Sequence, residues 1–276
     1  MKFICGDSFQ EKANLVLDNI YKGVDGELYC PEAFKNDGWK HNDTIFYETE
    51  NGSNIIFCRT DLLPMLDEDE DFTDKILITH NSDININSEV QLRTKPKLWL
   101  AQNGNHPSVV TVPLGLENKR FGKWRMFTEL RKERIEKTQL IYLNVSPNSN
   151  PAQRYPCIIR AQSFGILNDF KLGTDSYMVD QLRYLKQIQK SYFVICPEGA
   201  GIDTHRAFEA LYLGAIPIVA RSRVTEELSR YFPLAILDRW EDFDPAMFTK
   251  ALYEDLWKPE LVENLDFDIY FNKLIK

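Results

Sequence analysis

Residues 192–220 read YFVICPEGAGIDTHRAFEALYLGAIPIVA, and this stretch constrains the fold most. An apolar run at Tyr192–Cys196 predicts a strand. A glycine-bearing turn follows, then a helical pattern over Asp203–Leu213 and a second strand at Ala215–Ala220. The spacing fits one parallel βαβ unit, whose crossover is almost always right-handed. Ligands in such sheets collect beyond the carboxyl ends of the strands. The turn places Glu198, Gly199, Ala200 and Gly201 there, with Asp203 as the expected cap of the helix. A helix N-terminus attracts phosphate through its N–H groups and dipole. His205 and Arg206 fall in the first turn, where a diphosphate would sit, and Glu209 lies one turn on, placed to accept two ribose hydroxyls. The competing reading is local: Asp203 caps, and the two glutamates pair with Arg206 or surface lysines. Ala207, Phe208 and Leu211 suit the core.

The rest of the chain fits the same α/β pattern. Strands are expected at Lys2–Cys5, Asn54–Cys58, Lys75–Thr79, Leu98–Gln102, Val109–Pro113 and Leu140–Val145. Helices are expected at Phe9–Ile20 with Ser8 as N-cap, at Lys119–Lys137, at Arg154–Phe164 and at Asp175–Lys190, and again from Val224 and Pro245. Ser146–Pro156, rich in proline and asparagine, reads as a loop at a domain junction. The 276 residues accommodate two α/β domains, 1–140 and 141–276, with the last helix a candidate to cross back to the first domain.

Composition narrows the function. The chain carries 33 Lys and Arg against 41 Asp and Glu, a net charge of -8, which argues against a broad nucleic-acid surface. Five scattered cysteines (5, 30, 58, 157 and 196) form no CxxC pair, so buried thiols in a reducing compartment are expected. No run reaches a membrane span, and Met-Lys-Phe-Ile-Cys-Gly-Asp lacks a signal-peptide core, so the expected location is the cytoplasm. A P-loop is absent, and the first strand and helix lack GxGxxG.

Pro197–Val219 resembles the C-terminal signature of exostosin-like glycosyltransferases, P-E-G-x-G-x-D-T-H-R-x-x-E-A-L-x-x-G-x-I-P-I-V. THNSD at 79–83, PLGLEN at 113–118 and YLNVS…NPxxR from 142 to 154 extend the resemblance. It implies a GT-B fold of two Rossmann-like α/β/α domains and an inverting transfer that needs no metal or other cofactor. Glu209 would hold the ribose; Glu198 and the turn Gly199, Gly201, Asp203, Thr204, His205 and Arg206 would hold the diphosphate; and Arg154 would reach it from the junction. The donor would be a UDP sugar, first of all UDP-xylose as in compact cytosolic members from algal viruses, and the acceptor a glycan or glycoprotein. The large animal members' membrane anchor and second catalytic module have no counterpart here. The alternatives are a nucleotide-sugar epimerase of the same fold and a catalytically silent nucleotide-sugar binder.

An inverting transfer needs a base for the acceptor hydroxyl and stabilisation of the leaving diphosphate. The apolar strand ending in Thr79-His-Asn-Ser-Asp83 offers Asp83 first and His80 second, with Asp7 and Asp61 as rivals at neighbouring strand ends. Asn81-Ser-Asp83 is equally an ordinary turn set. His41 and His106 read as loop residues; Trp39, Trp99 and Trp240 as core; Arg221 and Arg223 as facing either nucleotide or solvent. The acidic run Asp67–Asp71 contains the D-x-D pattern of metal-dependent transferases, but no buried strand precedes it, so it reads as a solvated loop.

Overall fold

The computed structural model describes residues 1–19, 21–22, 28–29, 44–49, 52–133, 135–170 and 177–276. Cys30, Trp39 and His41 lie outside them. The chain divides into two compact units: Ile4–Lys123, and Trp124–Lys276 together with Met1–Phe3. The division falls at 123/124, upstream of the junction expected near residue 140.

The Ile4–Lys123 unit opens with α1 (Gly6–Gln10) and β1 (Leu15–Asn19), followed by the short antiparallel pair β2 (Tyr21–Lys22) and β3 (Leu28–Tyr29). Then come β4 (Thr44–Glu48), β5 (Ile55–Arg59), α2 (Leu63–Asp69), β6 (Ile76–His80), β7 (Leu98–Gln102) and β8 (Val110–Val112). The sheet order is β4-β1-β5-β6-β7-β8, antiparallel only at the β4 edge. β5, β6 and β7 are near-continuous apolar runs because both faces of a parallel sheet are covered.

Two expectations for the N-terminus are overturned. The helix expected over 9–20 stops at Gln10, Ser8 lies inside α1, and Leu15–Asn19 is a strand. Leu15, Val16 and Leu17 are consecutive buried residues, a pattern that suits a strand covered on both faces. Asn14 fixes the register: its N–H donates to Ile55 O at 2.9 Å, and its Oδ1 accepts from Ile55 N at 3.1 Å. Lys2–Cys5 forms no strand. Lys2 instead exchanges hydrogen bonds with the 266–267 segment: its N donates to Asp266 Oδ2 at 3.2 Å, and its O accepts from Phe267 N at 2.9 Å.

The second unit holds α3 (Trp124–Leu130), β9 (Gln139–Tyr142), α4 (Pro151–Ser163), α5 (Tyr177–Gln189), β10 (Ser191–Ile195), α6 (His205–Tyr212), β11 (Ile216–Ala220), α7 (Arg223–Leu228), β12 (Ala235–Leu237), α8 (Lys250–Leu256), α9 (Pro259–Val262) and α10 (Phe267–Leu274). Its four strands are all parallel, in the order β12-β11-β10-β9. Ile141, Phe193, Ile195, Ile216 and Ile218 share a core with Cys157, Ile158 and Ala161 of α4. The alternate residue Tyr142 meets Tyr184 of α5 at 6.3 Å between ring centroids, so helices cover both faces. Each unit is thus α/β around a mainly parallel sheet.

Gly122, at φ 74, ends a 3-10 turn, and the helix expected over 119–137 shrinks to α3. The loop expected at 146–156 contains the start of α4. Asn150 accepts from Gln153 N as N-cap, and Pro151 occupies the first turn, where its missing N–H costs nothing. The βαβ unit forms as expected, with Phe193 level with Ile216. Gly214, at φ 81, closes α6 in a Schellman turn, with Ala215 N donating to Ala210 O at 2.8 Å. The last helix packs within its own unit, where Phe232 and Tyr270 rings lie 5.0 Å apart. Among the described residues no helix is long and apolar enough to cross a membrane.

Candidate functional site

The turn after β10 is tied to the start of α4. Asn150 Nδ2 donates to Gly199 O at 2.9 Å, and Arg154 Nε donates to Glu198 O at 2.8 Å. Arg154 Nη1 donates to Ser146 O at 2.8 Å, so the guanidinium clasps two loops. A Cβ at Gly199 would sit 3.0 Å from Arg154 Nη2, so a larger residue there would push the guanidinium by a few tenths of an ångström. Gly199 N closes the turn on Gly201 O at 3.0 Å. Asp203 is buried and its Oδ1 accepts from Thr204 N at 2.8 Å. The helix therefore starts at His205 with Thr204 as N-cap, not Asp203, and Thr204 makes no side-chain cap bond.

Arg154 is buried and forms no ion pair with a described residue; its partners are neutral carbonyls. Burial, reinforced by the nearby positive charge of Arg206, lowers its pKa to about 10. Arg206 lies 6.0 Å over the Tyr184 ring, and its buried Nε has no hydrogen-bond partner among the described residues. Burial opposes the Arg206 charge, while Tyr184, Cys196 and the Glu209 carboxylate favour it; the balance holds its pKa above the usual arginine value. Glu209 is 3% exposed and accepts from the Tyr184 hydroxyl at 2.7 Å. Burial, then Glu209, pushes the Tyr184 pKa well up, so Tyr184 is a fixed donor. Cys157 and Cys196 lie under the arginines; burial raises both thiols, Cys157 to about 12, which leaves them inert. Burial also raises the Glu198 carboxyl.

Two guanidiniums lie within electrostatic reach of each other, one with only carbonyl partners and one with an idle buried N–H, although the Glu209 carboxylate offsets part of the Arg206 charge. A buried charge demands compensation. A glycine turn at a helix start supplies more N–H groups, so the arrangement suits a multiply charged anion. The structure brings together Arg154, Glu198, Gly199, Gly201, Asp203, Thr204, His205, Arg206 and Glu209. Tyr184 and Asn150 are the members that sequence reading missed. Asn150 was legible as a cap ahead of Pro151, whereas nothing local marks Tyr184.

In the Ile4–Lys123 unit a second polar group gathers at the carboxyl ends of the strands. Asp7 N donates to Asn118 Oδ1 at 3.1 Å, Asn118 Nδ2 to Asn81 Oδ1 at 3.2 Å, and Asn81 Nδ2 to Asp18 Oδ2 at 2.8 Å. Gln10 also donates to Asp18, and Lys119 N to Asp7 Oδ2 at 2.8 Å. Burial raises the pKa of both Asp7 and Asp18 against the lowering effect of these bonds and of nearby arginines. Asn81 adopts φ 59, a left-handed turn that asparagine tolerates better than other non-glycine residues.

His80 is wholly buried. Its Nδ1 accepts from Asn81 N at 2.8 Å and its Nε2 lies 3.0 Å from Pro113 O, which assigns the proton to Nε2. The ring thus ties two loops together against Phe9, 5.1 Å away. Asp83 is exposed, with no hydrogen bond or ion pair to a described residue. Asp61 pairs with Arg59 at 2.9 Å. Asp67–Asp69 end α2 rather than forming a loop, and Asp67 accepts from Arg93 N at 3.0 Å. Arg221 pairs with Asp238 and Glu226, each at 2.6 Å, and Arg223 pairs with Glu227. Trp99 and Trp240 are core residues, and His106 bonds Ser108 in a loop. Among the described residues no group of three or more His, Cys, Asp or Glu is placed to hold a metal ion. No protein-family model and no curated protein matches this chain.

Proposed function

We propose that this chain is an inverting, sugar-nucleotide-dependent glycosyltransferase of GT-B type. The unit containing Trp124–Lys276 takes the donor, and the Ile4–Lys123 unit the acceptor. The observation that carries the proposal is the pair of guanidiniums at the Gly199–Gly201 turn, Arg154 without a carboxylate and Arg206 with an idle Nε. A diphosphate answers that charge, and leaving-group stabilisation by fixed donors is the main electrostatic requirement of the transfer. Glu209 lies one turn further along α6, where its carboxylate accepts ribose hydroxyls. The donor we assign is a UDP sugar, first UDP-xylose, on the resemblance to the exostosin-like family; the acceptor is a glycan hydroxyl.

For the base, geometry favours Asp7 over Asp83. Asp7 is partly buried in a polar network, and burial raises its pKa toward the working range of a general base, whereas Asp83 stands alone in solvent. The test offers a panel of nucleotide sugars and follows thermal shift, donor hydrolysis and transfer. A UDP sugar should stabilise the protein and be consumed. Failure of every nucleotide and nucleotide sugar to bind would overturn the proposal; binding without turnover would leave a silent binder, and isomer interconversion an epimerase. Asp7→Asn should keep donor binding and lose about 10²–10⁴-fold in transfer, the usual worth of a general base. Loss of transfer in Asp83→Asn instead would return the role to Asp83.

A further inference from the structure

A cavity of about 470 Å³ lies near the amino ends of β9 and β10, whereas the Gly199 turn follows the carboxyl end of β10. Its wall consists of Lys137, Thr138, Leu140, Tyr192, Pro245, Ala246, Phe248, Thr249 and Lys250. No acidic residue lines it, although the chain carries 41 acidic residues against 33 basic ones. Both lysines approach the Tyr192 ring, Lys137 Nζ at 5.9 Å and Lys250 Nζ at 5.3 Å from its centroid, and Lys137 Nζ also lies 5.6 Å from the Tyr253 centroid. Neither forms an ion pair with a described residue. Lys137 donates to two carbonyls, Ser191 O at 2.6 Å and Gln189 O at 3.3 Å, the second at the C-terminus of α5. An ammonium carries three donors, so these two bonds leave one N–H of Lys137 that no oxygen of a described residue accepts.

We propose that this cavity is a second anion site, taking a small aromatic phosphate whose ring lies along Tyr192 and whose phosphate sits between Lys137 and Lys250. Half-buried Tyr192 and Pro245 offer apolar surface to a ring, and two cations uncompensated by carboxylates suit the phosphate. Thr138 and Thr249 add hydroxyls at the rim. The site is independent of the donor turn and stands whether or not the chain transfers sugar. Burial lowers the Lys137 pKa to about 8, so about a tenth of its amine is neutral and nucleophilic at pH 7, far more than for an exposed lysine.

That property supplies the test. Pyridoxal 5′-phosphate is an aromatic aldehyde bearing a phosphate. The neutral Lys137 amine adds to its aldehyde carbon, water leaves, and borohydride reduces the resulting C=N to a stable secondary amine for peptide mapping. No lysine occurs within residues 191–222, so labelling at the donor turn does not confuse the result. Lys137 should be modified first and saturably, ahead of exposed lysines such as Lys132 and Lys258. Lys250→Ala, an exposed change that leaves the core intact, should slow that modification about fivefold, the upper effect of one partly exposed ion pair. Pyridoxal without the phosphate should react more slowly and ignore Lys250→Ala. Labelling spread evenly over surface lysines, or a rate indifferent to both phosphate and Lys250, would overturn the site.

Discussion

Tyr184 shows how one hydroxyl organises a charged site. It donates to a nearly wholly buried Glu209 carboxylate and lies under Arg206. Tyr184→Phe keeps the ring and removes the donor, leaving a buried carboxylate short of a partner. The expected loss is about 1.5–3 kcal/mol, the range for hydrogen bonds to charged groups, read by chemical denaturation at pH 7. An unchanged midpoint would mean that water replaces the hydroxyl. Asp7 makes the opposite prediction. Its folded pKa is raised, so the folded state binds more protons than the unfolded chain as pH climbs from the ordinary carboxylate value of 3.8. Its contribution to stability is therefore present at low pH and lost as pH rises through the folded pKa. Asp7→Asn keeps the acceptor for Lys119 N, and it should raise the melting temperature at pH 7 and flatten the fall in stability from pH 4 upward. A melting temperature lowered at pH 7 would show that the carboxylate is held favourably charged.

At the scale of elements, tight backbone approaches decide which segments can move. Gly115 adopts φ 72, and a Cβ there would run into the Ile4 carbonyl, which accepts from Leu116 N at 2.8 Å. Gly115→Ala combines left-handed strain with a backbone clash, so it should cost about 3 kcal/mol or more, beyond the usual penalty of 1 kcal/mol or so for alanine at positive φ. A thermal melt showing less than 1 kcal/mol would mean that the 113–118 segment shifts freely. Local signals mislead at this scale in a regular way. The 9–20 stretch has helical periodicity, yet Asn14 and the strands on either side capture Leu15–Asn19. The polar 119–137 stretch has helix-forming residues, yet one glycine at positive φ and the absence of a long apolar face stop it.

For the whole molecule, the net charge of -8 would repel a polyanion, so anion binding must rest on local fields. Buried arginines are less screened than surface ones. Inorganic pyrophosphate at one hundred times its dissociation constant should stabilise the protein by about 2.7 kcal/mol. Arg206→Ala should abolish that thermal shift and Lys250→Ala should leave it intact. A shift that survives Arg206→Ala would place the anion away from the turn.

By itself the sequence determined the βαβ segment around residues 192–220, the parallel strands at 55–59, 76–80 and 98–102, and the gathering of glycines, His205, Arg206 and Glu209 at one helix start. These rest on contacts a few residues apart or on apolar runs that only a doubly covered sheet accommodates. Tertiary structure alone decided that Leu15–Asn19 is a strand and that residues 1–3 belong with the second unit. It alone set Tyr184 against Glu209, left Arg154 with carbonyl partners, and linked Asp7 through two asparagines to Asp18. Apart from Ser146, 8 residues from Arg154, the partners lie 25 to 264 residues away, and no local pattern encodes burial or electrostatics across such distances.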